Sequence, residues 1–89
     1  MKIMPGYMLR EIAGSWVAIP VGKLSGDRSY MLSLSESSAL LWRLLEKGAD
    51  SNELVEAILK DYAIDPGTAK ADVDKFLSDL RKEDLLVEG

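Results

Sequence analysis

The chain changes its hydrophobic period near its middle. From Tyr30 to Leu34 apolar and small residues alternate, with Tyr30, Leu32 and Leu34 on one side and Met31 and Ser33 on the other, the period of two of a half-buried strand. From Ser35 the spacing becomes helical. Ser35 is placed to cap a helix by accepting from an amide one turn on, and Glu36 suits the positive end of its dipole. Leu40, Leu41, Trp42, Leu44 and Leu45 make this helix apolar round most of its circumference, so other elements must cover it on several sides. Residues 36–47 are therefore the predicted centre of the core.

Before this stretch, YMLREIA over residues 7–13 and WVAIPV over 16–21 read as two strands joined by Gly14-Ser15. Pro20 cannot donate to a ladder and belongs near a strand end, an edge or a bulge. A polar, glycine-bearing connection from Gly22 to Arg28 leads to a third strand over 29–34, giving a three-stranded antiparallel meander. After it, Gly48 ends the first helix. Asp50 or Ser51 caps a second over 51–62, with Leu54, Val55, Ile58, Leu59 and Tyr62 as one stripe. Asp65-Pro66 starts a third over 66–82, Asp65 as cap and Pro66 at the first helical position. Strands followed by helices make an α+β domain, predicted to be single over residues 1–89.

The third helix shows two unlike shoulders. At 100° per residue its core stripe is Ala69, Val73, Phe76 and Leu80. Leu77 shares one shoulder with Lys70, Asp74 and Arg81, while Asp72, Asp79 and Glu83 hold the other. Periodicity leaves open which of these residues line a groove and which fill the core. The closing Leu85-Leu86-Val87 either packs back on the core or adds a short strand.

Composition narrows the chemistry. With no Cys and no His, the chain forms no disulfide, no thiolate or imidazole metal site and no nucleophile with a histidine base. Its carboxylates sit mainly on solvated helix faces, so the expectation is a protein that is not an enzyme, with no catalytic residues, metal or cofactor. Net charge is −4 overall but +2 over residues 1–34, which leaves −6 on the helical half. Such acidity counts against nucleic acid, whose binding needs Lys and Arg on phosphates. The longest apolar runs fall short of the ~20 residues that span a bilayer, and the N-terminus carries no signal-like segment; a soluble cytoplasmic protein without membrane contact is expected.

Several local patterns, taken in order, resemble the PqqD family of pyrroloquinoline quinone biosynthesis, whose fold recurs as the recognition element for precursor peptides of ribosomally made, modified natural products. They are Leu9-Arg10-Glu11, Leu32-Ser33-Leu34-Ser35 running into Ala39-Leu40-Leu41-Trp42-Arg43-Leu44-Leu45, Gly48 before Glu53-Leu54-Val55, and Tyr62-Ala63-Ile64-Asp65. Asp72-Val73 and Phe76-Leu77 ahead of Leu85-Leu86 complete the series. Ser35 stands where the family often has Asn, and Asp84 where it often has Gly; Ser is a good cap and Asp tolerates the left-handed conformation.

The resemblance implies a winged helix-turn-helix-like domain that performs no chemistry and binds the leader of a precursor peptide. The leader adds as a strand to Ser29, Tyr30, Met31, Leu32, Ser33 and Leu34. Its side chains rest against Val73, Leu77 and Leu80, with Lys70 and Arg81 placed to meet its acidic residues. A modifying enzyme, often a radical S-adenosylmethionine enzyme with iron–sulfur clusters, then receives the peptide. Two alternatives use the same parts: a winged-helix nucleic-acid or transcription-regulator module, and a scaffold that pairs the exposed strand edge with a second copy of itself.

Overall fold

The computed structural model describes residues 1–21 and 32–88. Its elements are β1 (Lys2–Ile3), β2 (Tyr7–Ile12), β3 (Ser15–Pro20), β4 (Leu32–Leu34), α1 (Glu36–Lys47), α2 (Ser51–Asp61), α3 (Pro66–Lys82) and β5 (Leu86–Val87). The strands β2, β3 and β4 form a three-stranded antiparallel sheet in that order, and three helices follow it, the α+β arrangement expected. Ser29, Tyr30 and Met31, expected in the third strand, lie outside the described residues.

Local chemistry sets most element ends. The Ser35 hydroxyl accepts from the Ser38 amide at 3.1 Å to open α1, and Gly48 closes it at φ 106°, a conformation that strains any side chain. At α2 the cap is Asp50, which accepts from the Glu53 amide while the Glu53 carboxylate accepts from the Asp50 amide, a reciprocal capping box. The Asp65 carboxylate accepts from both the amide and the hydroxyl of Thr68, bonds that hold its pKa below the ordinary value, and Pro66 follows as the first helical residue.

The first hairpin differs from expectation by one residue. Its two-residue turn is Ala13-Gly14, not Gly14-Ser15, with φ of 52° at Ala13 and 81° at Gly14. Both central residues of this tight turn need positive φ to match the twist of the flanking strands, so Ala13 accepts strain and Ser15 is freed to pair with Ile12.

The closing Leu86-Val87 adds a short strand, one of the two outcomes expected, but its partner has no counterpart in the periodicity. Lys2–Ile3 forms β1, which pairs antiparallel with β5 in the register Lys2 opposite Val87 and Ile3 opposite Leu86. The amide of Met4 donates to the Leu85 carbonyl at 2.8 Å, and the amide of Ala49 donates to the Met1 carbonyl at 3.0 Å. The chain reaches β5 through Asp84 at φ 57°, a left-handed conformation that Asp tolerates better than most residues.

The core is continuous across both sheets and all three helices. Trp42, Leu45, Leu54, Val73 and Leu85 are fully buried at its centre, and the Tyr7 ring meets Trp42 edge to face with centroids 6.0 Å apart. Leu77 is among its buried members at 3% exposure. Among the described residues no helix is long and apolar enough to cross a membrane.

Candidate functional site

The edge of β4 owes its character to the register of the sheet. A two-residue hairpin closes on a hydrogen-bonded pair, here Ile12 with Ser15, and such pairs alternate with non-bonded ones along an antiparallel ladder. Ser15, Val17 and Ile19 thus direct their amides and carbonyls toward β2, whereas Trp16 and Ala18 direct theirs toward β4. Trp16 lies opposite Leu34, and Ala18 opposite Leu32. Leu32 and Leu34 spend their backbone groups on β3, so Ser33 points its amide and carbonyl away from the sheet, along an edge that is open among the described residues.

Beside that edge runs a groove closed on its far side by α3. Leu32 and Leu34, both half-buried, form its β4 side; Leu80 and Leu85 form its floor, and Phe76, Asp79 and Glu83 stand along its helical wall. Its volume of about 290 Å³ takes individual apolar side chains rather than a folded ligand. At Ser38, Phe76 and Asp79, which line both, the groove adjoins a second cavity of about 330 Å³ lined by Leu41, Ile58, Tyr62, Ile64, Asp72 and Lys75. Across Ser35 and Tyr62 this meets a third, of about 530 Å³, beneath the hairpin. There the Arg43 guanidinium lies over the Trp16 ring at 4.3 Å, with Glu11, Glu36 and Asp61 around them. The Tyr62 phenol is raised above its ordinary pKa by desolvation, then by the charges of Glu36 and Asp61.

The residues anticipated from the sequence divide into those this groove contains and those it does not. Leu32, Ser33, Leu34 and Leu80 line it. Val73 at 0% and Leu77 at 3% exposure are core residues. Lys70 reaches Asp74 at 3.3 Å, an exposed pair one turn along α3. Arg81 donates to both carboxylate oxygens of Glu88, at 2.7 and 3.2 Å, which holds the Glu88 carboxyl below its ordinary pKa. Lys70 and Arg81 line none of the three cavities.

The physical reason lies in the β1–β5 pair. It takes up the Leu77 side of α3: Arg81 is bonded to Glu88 just after β5 and its guanidinium approaches the Met1 sulfur at 4.0 Å. The opposite shoulder, with Asp72, Asp79 and Glu83, is left facing β4 and the second cavity. Helical spacing groups those three acids, but only the position of β1 decides which shoulder meets β4. Ser38, Phe76, Asp79, Lys82, Glu83 and Leu85 were thus missed as groove residues. Among the described residues no group of three or more Asp or Glu is placed to hold a metal ion.

The geometry has parallels among solved structures. TbiB1, in complex with the TbiA(beta) leader peptide, shares 27% sequence identity with a TM-score of 0.77, the match covering 100% of this chain and 98% of that one. A lasso peptide synthetase B1 complexed with the leader peptide aligns at 15% identity and a TM-score of 0.75 over 98% of this chain and 96% of its own, a likeness of fold alone. No curated protein matches the sequence significantly. Residues 23–86 match the family described as coenzyme PQQ synthesis protein D. That span is well over half of the sequence and contains β4, all three helices and the α3 wall of the groove, so the chain belongs to the PqqD family.

Proposed function

We propose that this protein is a non-catalytic recognition element that binds the leader of a ribosomally made precursor peptide and presents it to a modifying enzyme. The observation that carries this reading is the open backbone of Ser33 beside a groove floored by Leu80 and Leu85. A strand added to β4 finds hydrogen-bond partners along the edge and pockets for alternate side chains in the groove. The family membership and the leader complex of the 27%-identical TbiB1 support the same reading.

Magnitudes explain why the edge needs the groove. Ordering a seven-residue segment costs roughly 7–14 kcal/mol of backbone entropy, while four or five ladder bonds return about 0.5–1.5 kcal/mol each. Two or three buried apolar anchors, at about 1.5–3 kcal/mol apiece, supply the difference. Leu32, Leu34, Phe76 and Leu80 are the surfaces available to them, and Ser29, Tyr30 and Met31 belong to the same proposal as leader-contacting residues.

The proposed enzyme partner is of the radical S-adenosylmethionine class, as the family resemblance implies, and the proposed setting is the cytoplasm. Calorimetry with the cognate leader gives a one-to-one complex, and a labelled DNA duplex titrated at low salt gives none. Tight duplex binding reverses the order of these two readings. In the absence of leader the same edge pairs with a second copy of the chain, weakly and with a concentration dependence. Sedimentation that finds a strict monomer up to millimolar concentration counts against an accessible edge.

A further inference from the structure

The charges that line the leader's path were not expected. Among the described residues, the three adjoining cavities carry Glu11, Glu36, Asp61, Asp72, Asp79 and Glu83 against Arg43, Lys75 and Lys82, a balance of −3. That balance already counts the channel bases. Lys75 reaches Asp79 at 3.5 Å, but both side chains are more than half exposed, so the pair is screened and weak. Arg43 is stacked on Trp16. The bases on the other shoulder of α3, Lys70 and Arg81, lie outside the channel, Lys70 beside Asp74 in an equally exposed pair and Arg81 bonded to Glu88. An acidic leader segment would enter a field of its own sign next to apolar surface, where the local dielectric is lower than in bulk water and repulsion is stronger.

We infer that this groove selects leaders whose groove-contacting segment is basic, with Lys or Arg flanking the aliphatic anchors, and that Asp79 and Asp72 on α3 set this preference. The inference rests on the leader-binding reading and specifies its ligand class. Asp79 is the pivotal residue, because it borders both the β4 groove and the second cavity, at the point where a peptide leaving the end of β4 passes from one to the other. Asp72 lies two turns earlier on the same shoulder and borders the second cavity. Long basic side chains suit this arrangement, since their aliphatic stems lie along Phe76, Leu41 and Ile58 while the charged head reaches the carboxylates.

The test uses a displayed library of random twelve-residue peptides, selected on the intact protein at low ionic strength. Peptides enriched by the wild type carry Lys and Arg at severalfold their frequency in the unselected library, next to aliphatic residues, and the bias fades as salt is raised toward 0.5 M, where the Debye length is about 4–5 Å. The double variant Asp72→Lys with Asp79→Lys enriches Asp and Glu instead. Glu56→Lys, an exposed change on α2, leaves the basic bias in place. Wild-type enrichment of acidic peptides, or of peptides without charge bias, overturns the inference while leaving the leader-binding reading standing. If the enriched peptides bind equally well to a Leu32→Asp variant that keeps its helical circular dichroism, the groove itself is not the peptide site, and both fall together.

Discussion

Leu77→Asp unfolds the protein. Leu77 is 3% exposed in the core, and a carboxylate there has neither water nor a partner. An unpaired buried charge costs several kcal/mol even after its pKa shifts to neutralise it, and the leucine's packing, typically worth about 2–5 kcal/mol, is lost as well. A domain of this length is stable by only about 4–13 kcal/mol, so the loss takes most or all of it. Circular dichroism at 25 °C shows collapse of the helical signal, or a urea midpoint shifted far toward zero. A folded Leu77→Asp with an unchanged midpoint would show that this shoulder of α3 is open, returning Leu77 to the surface where sequence periodicity alone allows it.

Ser33→Pro leaves the fold intact and abolishes most of the leader affinity. The Ser33 amide points along the open edge, so a proline ring there removes no bond within the sheet, and edge positions of this kind are where strands accept proline. Leu32, which precedes it, already lies in the extended conformation that a following proline demands. What is lost is the central donor of the docking edge, worth about 0.5–1.5 kcal/mol, and the ring carbon in its place obstructs the incoming carbonyl. Affinity falls on the order of 10–100-fold, equivalent to about 1.4–2.8 kcal/mol, with little change in thermal midpoint. Leu34→Pro makes the instructive contrast: it removes an amide that faces β3, so it damages the sheet first. Calorimetry that finds full leader affinity in a folded Ser33→Pro rules out strand addition at this edge.

Much of the fold was legible because its boundaries are written in short-range chemistry. Ser35, Gly48 and Asp65-Pro66 act within one turn of themselves, and the helical stripes need only neighbours three or four residues away. The change of period at Ser35 likewise placed β4 against α1. What the sequence did not disclose depends on distant partners. Two residues, Lys2 and Ile3, have no period to read, yet their pairing with Leu86 and Val87 occupies one side of α3 and so turns the acidic side toward β4. Leu77 and Arg81 were drawn into the anticipated site by a correct helical wheel applied without that constraint. The turn at Ala13-Gly14 has the same lesson on a smaller scale, since the one-residue choice fixes which amides of β3 face β4, and hence that Ser33 presents the free edge.

The β1–β5 pair also governs how the molecule yields to force. Lys2 lies opposite Val87 in an antiparallel ladder, so Met1 and Glu88 leave it at the same end. Tension applied between the two ends acts across the strands, loading their hydrogen bonds one after another instead of all at once. The pair therefore peels like a zip at low force, and the Ala49 bond to Met1 gives way with it. The next structures along the chain, β2 from one tail and α3 from the other, are loaded only after this fastening has opened. A pull on either tail thus spends its first extension on the clasp while the docking edge keeps its shape.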